Sequence, residues 1–316
     1  MRRFDRSEWA LVLGGSSGIG LATAHALAEA GMSVCVVHRD RRGAMGPIDE
    51  AFARIRRHGG GFLALNLDAL APAGVDATLA ALRQQLGERG ALRLFLHSIA
   101  FGNLKPVAPP APERGPAAHA ERALNVLAAE LSVAPSLVAD AVARALDRGA
   151  VALGPLRPPA PGAALLDDED VARTVYAMGT SLLTWTQRLF AERLFANDAR
   201  VIALTSEGNT VAWRGYAAVA AAKCALESVC RAIAVEFGPH GIRANVVQAG
   251  VTDTPALRLI PGGAQMRATA MLRNPLGRLT TPEDVANAIV LLARDEARWI
   301  NGALLHVDGG EHHAPA

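Results

Sequence analysis

The sequence predicts an α/β fold in which a doubly wound parallel sheet is covered by helices on both faces. Short runs rich in valine, leucine and isoleucine recur along the chain and alternate with longer alanine-rich stretches, as in repeated β-α-β units. A glycine-rich turn at 14–20 separates the first of these runs from the first helical stretch. Since 51% of the 316 residues are hydrophobic, the chain can bury a large core.

The first part of the chain alternates four predicted strands with three predicted helices. The apolar run WALVL at 9–13 is typical of a buried strand, and Gly31 stands where glycine commonly ends a helix. The strands are 9–13, 33–38, 61–68 and 91–98, and the helices are 21–30, 48–57 and 75–86.

The same alternation resumes after residue 166. The acidic run DDEDV at 167–171 favours a helix start, because negative charge is stabilised at a helix N-terminus. The predicted strands here are 200–206, 242–249 and 303–309, and the predicted helices are 171–196, 214–237 and 282–293.

Residues 103–166 interrupt this rhythm and hold ten of the eighteen prolines. Apolar residues recur at helical spacing within 118–131 and 136–148, so we predict an ordered helical insertion in preference to disorder. Residues 1–102 and 167–316 then form a single domain around this inserted segment.

Composition and charge exclude several classes of function. A net charge of +2 argues against nucleic-acid binding, and no apolar run approaches the roughly 18 residues of a membrane helix. The N-terminus lacks the apolar core of a signal peptide. Cys35, Cys224 and Cys230 show no metal-ligand spacing, and His312 and His313 lack partner ligands, so no metal is expected. We predict a soluble cytoplasmic protein.

The segment GGSSGIG predicts a dinucleotide-binding, Rossmann-type domain. A tight turn between a strand and a helix needs glycine torsions, and a pyrophosphate needs bare backbone N–H groups at the helix N-terminus. The position after the first strand strengthens the motif, although a purely structural turn has the same composition. The predicted phosphate-binding residues are Gly14, Ser16, Ser17, Gly18, Ile19 and Gly20.

The sequence VVHRDRR at 36–42 predicts NADPH as the cofactor, with NADH as the less favoured alternative. A site selective for NAD has a carboxylate at the end of the second strand, where this chain has His38 and Arg39. Arginine binds a 2′-phosphate through charge-assisted hydrogen bonds. Asp40 also stands within reach of the ribose, and the arginines alternatively form a solvated basic loop.

The stretch WRGYAAVAAAK holds Tyr216, one of two tyrosines, seven positions before Lys223. On a helix this spacing puts both side chains within ~20° of one face and about 10.5 Å apart along the axis. Val219 lies four positions before Lys223 and cannot donate a proton. Tyr216 is therefore the candidate phenol, although the pair alone also fits a packed aromatic residue and a solvated amine.

The chain resembles the short-chain dehydrogenase/reductase superfamily over nearly all its length outside the insertion. The resemblance rests on LGGSSGIG, LNLD, IRANVVQAG and WINGALLHVDGG. HSIAFGN at 97–103 and the Tyr-x6-Lys spacing are more similar to the enoyl-acyl-carrier-protein reductases, since ordinary members have an asparagine-containing NAG turn and Tyr-x3-Lys.

The narrower resemblance implies NADPH-dependent reduction of the trans-2 double bond of an enoyl thioester of fatty-acid or polyketide type. Tyr216 then stabilises the enolate and Lys223 holds the nicotinamide ribose. Ser206 stands ten residues before Tyr216, where enoyl reductases often have a tyrosine or another polar group. Counted back from Lys223, the same residue stands where ketone reductases place their catalytic serine. It is expected either to contact the substrate or to cap the strand.

Further contacts follow from the resemblance. It implies that Asp68 approaches the adenine, that Ser98, Ile99 and Ala100 pass under the ribose and nicotinamide, and that Gly250, Thr252 and Thr254 contact the carboxamide. Phe101, Gly102, Tyr216 and Leu257 are the implied substrate contacts, and 255–281 is the implied lid. Met178 occupies the region where many relatives have an asparagine.

The implied partner is an acyl thioester, and acyl-carrier protein and coenzyme A are alternative carriers of it. Helices 171–196 and 214–237 lie where this superfamily builds dimers and tetramers, so a homo-oligomer is expected. Two alternatives remain open, namely a ketone or β-ketoacyl-thioester reductase on the same fold and a cofactor-fold scaffold without turnover.

Overall fold

A computed structural model describes residues 3–88, 90–109, 116–156, 164–260 and 263–314. Its centre is a parallel sheet of seven strands in the order β3-β2-β1-β4-β5-β6-β7, which confirms the predicted fold class. The strands are β1 Glu8–Leu13, β2 Ser33–His38, β3 Phe62–Asn66, β4 Ala91–His97, β5 Phe195–Thr205, β6 Ile242–Ala249 and β7 Leu304–Val307.

Helices cover both faces of this sheet. They are α1 Gly18–Glu29, α2 Met45–Arg56, α3 Pro72–Leu86, α4 Pro116–Glu130, α5 Pro135–Asp147, α6 Asp168–Val175, α7 Ser181–Ala191, α8 Ala217–Glu236, α9 Pro255–Arg258, α10 Gly263–Arg273 and α11 Pro282–Leu292. Within the described ranges no single helix is long and apolar enough to cross a membrane; α4 and α5, a pair bent by 111°, reach that length and composition only together.

The strand order reverses between β1 and β4, which opens a crevice at the carboxyl ends of the strands. From β1 the chain winds outward through β2 and β3, then crosses back to β4 and continues to β7. Alternate residues of β1 enter opposite core layers, with Leu11 and Leu13 on one face and Ala10 and Val12 on the other. Helices bury both faces of the sheet. The carboxyl ends of the strands at the switch point are where ligands bind α/β sheets.

The predicted single helix 171–196 is wrong, because this segment forms α6, a π-helical turn at Tyr176–Thr180 and the shorter α7. At the turn, Gly179 approaches α8 so closely that an added methyl would lie 2.7 Å from the carbonyl of Ala222. Strand β5 begins at Phe195, five residues before its predicted start at 200, so α7 ends at Ala191. Contact with α8 therefore decides the local geometry, and helix propensity does not.

The described part of 103–166 forms a helical hairpin, and it continues in a short 3-10 segment, Val151–Leu156. Leu124, Ala128, Val138 and Val142 make a small core of their own between α4 and α5. The 3-10 segment packs against α10, where an added methyl on Gly154 would overlap the backbone of Ala264. The insertion thus lies on the lid helix; 110–115 and 157–163, and 261–262 of the predicted lid, lie outside the described residues.

Candidate active site

The glycine-rich turn between β1 and α1 takes the form that the sequence predicts. Gly14 and Gly18 have φ values of +81° and +53°, which favour glycine. A methyl on Gly14 would lie 2.5 Å from the carbonyl oxygen of Ser98, and one on Gly20 would overlap the carbonyl of Gly14. The bare backbone leaves the N-terminus of α1 open to an anion such as a pyrophosphate.

A groove of about 540 Å³ runs from this turn along the carboxyl ends of β2, β3, β4 and β5. Its shape and its glycine cradle fit a dinucleotide, with phosphate at the start of α1 and the nicotinamide end at β5. The predicted cofactor residues that line it are Gly14, Ser16, Ser17, Gly18, Ile19, Arg39, Asp68, Ser98, Ile99, Ala100, Lys223 and Thr254. Gly250 and Thr252 instead line the adjoining pocket, where the hydroxyl of Thr252 donates to the carbonyl of Gly250 over 2.8 Å.

The residues that follow β2 are mainly basic and exposed. Arg39 donates from Nη1 to Oδ2 of Asp68 over 2.7 Å, and its guanidinium lies 4.7 Å from the centre of the Phe101 ring. The carboxylate of Asp40 lies 2.8 Å from Nδ1 of the buried His38. Asp40 is thus already engaged, while the Arg39 side chain is 51% exposed and faces the groove.

Tyr216 and Ser206 meet at the inner end of the groove. Ser206 follows β5, Tyr216 immediately precedes α8, and their hydroxyl oxygens lie 3.1 Å apart. Gly208 lets the connecting loop fold onto the phenol, since an added methyl would overlap the Tyr216 ring. Burial raises the pKa of Tyr216 above its usual value, although the hydrogen bond to Ser206 acts against this. The phenol is therefore protonated at neutral pH and can donate a proton.

Lys223 lies one to two turns into α8 and its side chain reaches the same groove. Its Nζ donates to the carbonyl of Leu204 over 2.9 Å. Burial lowers the pKa of Lys223 to about 8, while the charge of Glu227 acts in the opposite direction. Glu227 itself accepts hydrogen bonds of 2.6 Å from Thr205 and Asn209. The seven-residue spacing therefore brings phenol and amine to one groove, as predicted.

His97 is a buried imidazole at the end of β4. One ring nitrogen, Nε2, lies 2.8 Å from the hydroxyl of Ser181, and the other makes no hydrogen bond with a described residue. Burial lowers the pKa of His97 to about 3, and the charge of Lys223 acts in the same direction. His97 is therefore neutral and cannot compete with Lys223 for an anionic ligand.

An inner pocket of about 210 Å³ opens from the groove beside Tyr216. Of the predicted substrate residues, Gly102, Tyr216 and Leu257 line this pocket, whereas Phe101 lies in the cofactor groove against Arg39. One side of the pocket is apolar and is formed by Leu104, Met178, Val219, Leu257, Ile260 and Met266.

A second part of the pocket lining is polar, and sequence reasoning missed it. It is formed by Glu207, Gln248, Arg273, Glu311 and His312, which we call the polar wall. Arg273 is 66 residues from Glu207 and 38 from Glu311, and no motif joins them. The only available signal was the charge of Arg273 at the end of an otherwise ordinary amphipathic lid helix.

Two family models match the chain in adjacent parts. One described as Enoyl-(Acyl carrier protein) reductase matches residues 144–312, and one described as short chain dehydrogenase matches residues 8–99. Together they cover all seven strands and, apart from Ala100, Phe101, Gly102 and Leu104, the site residues described above.

Curated relatives match parts of the chain. A cis-4-hydroxycyclohexanecarboxylate dehydrogenase of Sinomonas cyclohexanicum is 34% identical over 54% of this chain and 72% of its own length. A 1-cyclohexenylcarbonyl-CoA reductase of Streptomyces collinus is 37% identical over 38% of this chain and 44% of its own. A 3-oxoacyl-(acyl-carrier-protein) reductase of Escherichia coli is 31% identical over 46% and 59%. The chain thus spans about half the length of the last two.

Solved structures share the fold at low sequence identity. A short-chain dehydrogenase of Burkholderia cenocepacia in complex with NADP superposes with a TM-score of 0.66 at 22% identity, covering 96% of this chain and 98% of its own. An enoyl-(acyl-carrier-protein) reductase of Anaplasma phagocytophilum in complex with NAD gives 0.67 at 18% identity, covering 100% and 96%. At such identities these likenesses show the fold alone.

Proposed function

Because the chain belongs to the short-chain dehydrogenase/reductase superfamily, and so to a family of oxidoreductases, we propose that it reduces the double bond of trans-2-enoyl thioesters with NADPH. The observation that carries this proposal is the position of the phenol. Tyr216 is the only tyrosine among the described residues of the inner pocket, and it stands seven residues before Lys223. Val219, at the four-residue position, is an apolar part of the pocket.

The groove residues divide the binding of the cofactor among them. Gly14, Gly18 and the start of α1 hold the pyrophosphate, and Arg39 is placed for a 2′-phosphate. Below a pH of about 8, Lys223 is charged, and its ammonium binds the ribose of the nicotinamide half. When bound, NADPH supplies the hydride that the β-carbon of the enoyl thioester receives.

Tyr216 acts on the oxygen of the thioester. As negative charge grows on that oxygen, the phenol donates a hydrogen bond to it, and the buried setting makes this bond stronger than it would be in water. Ser206 fixes the phenol through the 3.1 Å contact, and the ammonium of Lys223 stabilises the same developing charge.

Replacing Tyr216 by phenylalanine tests the reaction. We expect Tyr216→Phe to lower kcat for crotonyl or octenoyl thioester by about 10²–10³, the usual loss for one donor to a developing oxyanion, with NADPH affinity unchanged. Tyr176→Phe is the matched control, because Tyr176 makes only a 3.4 Å contact with the carbonyl of Leu70 and lines neither cavity. Turnover of acetoacetyl thioester alone would contradict the proposal.

A second candidate, reduction of a ketone or β-ketoacyl thioester, is favoured by the contact between Ser206 and Tyr216. Two hydroxyl groups at 3.1 Å are able to bind one carbonyl oxygen together. The relatives from Escherichia coli and Sinomonas cyclohexanicum carry names of this chemistry. Ser206→Ala separates the candidates, since it should abolish turnover of a keto substrate and only weaken that of an enoyl substrate.

A further inference from the structure

The polar wall draws its residues from four separate parts of the fold. Glu207 follows Ser206 directly, Gln248 belongs to β6, and Arg273 is the last residue of the lid helix α10. Glu311 and His312 follow β7. The wall lines the same pocket as the apolar side chains and starts one residue from the proposed reaction centre.

The guanidinium of Arg273 is already held by two carboxylates. Its Nη2 donates to Oε2 of Glu207 over 2.6 Å and to Oε1 of Glu311 over 3.3 Å. The hydrogen bond to Glu207 is the main cause of the raised pKa of Arg273, so the guanidinium stays charged. The wall thus carries one cation between two carboxylates and does not favour an anionic substrate, although the buried Nε of Arg273 makes no hydrogen bond with a described residue.

Both carboxylate oxygens of Glu311 accept hydrogen bonds. It is 2% exposed, and its second oxygen, Oε2, accepts from the backbone N–H of Val251 over 3.2 Å. Burial raises the pKa of Glu311, against the hydrogen bond from Val251 and the charge of Arg273. Glu311 thus links the lid to the loop that carries Thr252 and Thr254, and it has no oxygen left for a ligand.

Glu207 differs from Glu311 in having one oxygen without a donor. Its Oε2 is used by Arg273, but Oε1 has Nδ1 of His312 at 3.8 Å, beyond hydrogen-bond length, and receives no hydrogen bond from another described residue. The Glu207 side chain is 15% exposed. The wall therefore presents one carboxylate oxygen that can accept a hydrogen bond in the inner pocket.

From this geometry, and resting on the function proposed above, we infer that the substrate is a hydroxylated acyl thioester whose hydroxyl group donates to Glu207. An O–H group satisfies the carboxylate oxygen, whereas an alkyl group in the same place would leave it desolvated and unpaired. A carboxylate on the substrate would face two carboxylates against one guanidinium and be repelled. Since Glu207 adjoins Ser206, the hydroxyl lies a few bonds from the reacting carbonyl.

The test compares acyl groups of one chain length. The panel consists of trans-2-hexenoyl thioesters with a hydroxyl at C4, C5 or C6, the unsubstituted thioester, and one with a carboxylate at C6. We expect kcat/KM of the best hydroxylated substrate to exceed that of the unsubstituted one by about tenfold or more, because sites built to bind a hydroxyl reject analogues that lack it. The carboxylate should be the poorest of the panel.

Glu207→Leu should bring this preference to about twofold or less while the unsubstituted thioester is still turned over. Glu236→Leu, an exposed position at the end of α8, is the matched control and should leave the preference unchanged. Thermal melting and NADPH affinity check that both variants fold. Should Glu207→Leu fail to fold, the wild-type panel alone decides.

Equilibrium binding of the saturated thioesters in the presence of NADP⁺ separates this inference from the proposed reaction. Suppose that no enoyl thioester is reduced but the hydroxylated saturated thioesters bind at least about tenfold more tightly than the unsubstituted one. The inferred hydroxyl contact with Glu207 is then correct and the proposed reaction is wrong. If enoyl thioesters are reduced with no preference for a hydroxyl, the inference is overturned and the reaction stands.

Discussion

At the scale of single residues, Lys223 is a group of the site whose charge depends strongly on its surroundings. Its ammonium lies in a buried setting with one backbone acceptor, the carbonyl of Leu204. Burial disfavours the charged form, and the pKa of about 8 brings its loss of charge into the range of ordinary assays. A free lysine would keep its charge to about pH 10.4.

We expect kcat/KM for NADPH to fall as the pH rises through about 8, because this ratio reports ionisations of the free enzyme and only the ammonium attracts the cofactor. The pH profile of kcat reports the bound complex. Its falling limb, the decrease at high pH, should lie at higher pH than that of kcat/KM, since the anionic cofactor favours the charged lysine. Initial rates between about pH 6 and pH 10 measure both limbs.

Lys223→Arg is the control for this profile, because arginine stays charged at all these pH values. The limb should be absent from its kcat/KM profile, whatever the absolute rate. The same limb in wild type and variant would assign it to another group and contradict the role of Lys223.

The residues that sequence predicted well are those whose chemistry depends on local spacing. The glycines of 14–20 and the pair Tyr216 and Lys223 lie within single turns and helices, so their neighbours along the chain fix their geometry. Glu207, Arg273 and Glu311 meet only through tertiary contacts of 38 residues or more. No local pattern distinguishes them from ordinary surface charges.

At the scale of elements, the contact between the insertion and α10 is the feature on which the shape of the pocket depends. Met266 of α10 lines the pocket, and the 3-10 segment at Val151–Leu156 packs on the first turn of the same helix. The side-chain amide of Gln265 also donates to the carbonyl of Pro155 over 3.5 Å. The insertion thus holds the lid helix in place from outside.

Gly154→Ala should raise KM for the thioester by about 5–10-fold and leave the affinity for NADPH unchanged. An added methyl overlaps the backbone of Ala264, and overpacking of this kind costs about 1–3 kcal/mol, which here displaces α10. Gly46→Ala is the control, since its methyl would meet nothing within 4 Å. An unchanged KM, measured by steady-state kinetics, would show that the insertion does not set the position of the lid.

Element boundaries were predictable where capping residues mark them. Asp167 and Thr281 form capping boxes at the starts of α6 and α11, and both starts lie within three residues of the predicted ones. The π-helical turn at Tyr176–Thr180 was not predictable, because its cause is the approach of Gly179 to α8. Sequence periodicity continues through such a turn without a visible break.

At the scale of the whole molecule, a partly buried cluster of ion pairs lies at the amino ends of the strands, opposite the active site. Arg93 of β4, Arg200 of β5 and Arg243 of β6 all donate to the carboxylate of Asp198. Burial alone would raise the pKa of Asp198, but the hydrogen bond to Arg200 and the three positive charges lower it. One carboxylate thus pairs with guanidinium groups from three adjacent strands.

Asp198→Asn should lower the free energy of unfolding at pH 7 by about 2 kcal/mol, less than the ~3–5 kcal/mol of a fully buried pair because Asp198 is partly exposed. A lowered pKa means that the contribution is complete above the unfolded value and is lost as the pH falls through the folded one. Urea unfolding should therefore show the wild type and the variant converging as the pH falls below about 4.

Asp295→Asn is the control for this change. Asp295 also pairs with Arg93, over 2.6 Å, but its side chain is 65% exposed, so its removal should cost under ~1 kcal/mol. Equal losses of unfolding free energy in the two variants would show that the contact of Asp198 with three arginines adds no more stability than a single exposed ion pair.

The doubly wound parallel sheet followed from the whole sequence, whereas its strand order was not predicted. Parallel strands that alternate with helices allow few topologies, and the glycine turn places the first crossover at the centre of the sheet. The arrangement of the insertion on the lid did not follow, because its apolar residues predict helices but not the surface on which they lie.

The length of the connection between β4 and β5 has a consequence for loop-closure entropy. β4 ends at His97 and β5 begins at Phe195, and these two strands must find each other across that span. The entropic cost of closure grows only with the logarithm of length, so tripling a connection adds roughly 1 kcal/mol. With a small core of its own between α4 and α5, the inserted hairpin offsets much of that amount itself. The switch point of the sheet is thus a place where the chain can lengthen at little thermodynamic cost, while the added residues pack on the lid helix that lines the substrate pocket.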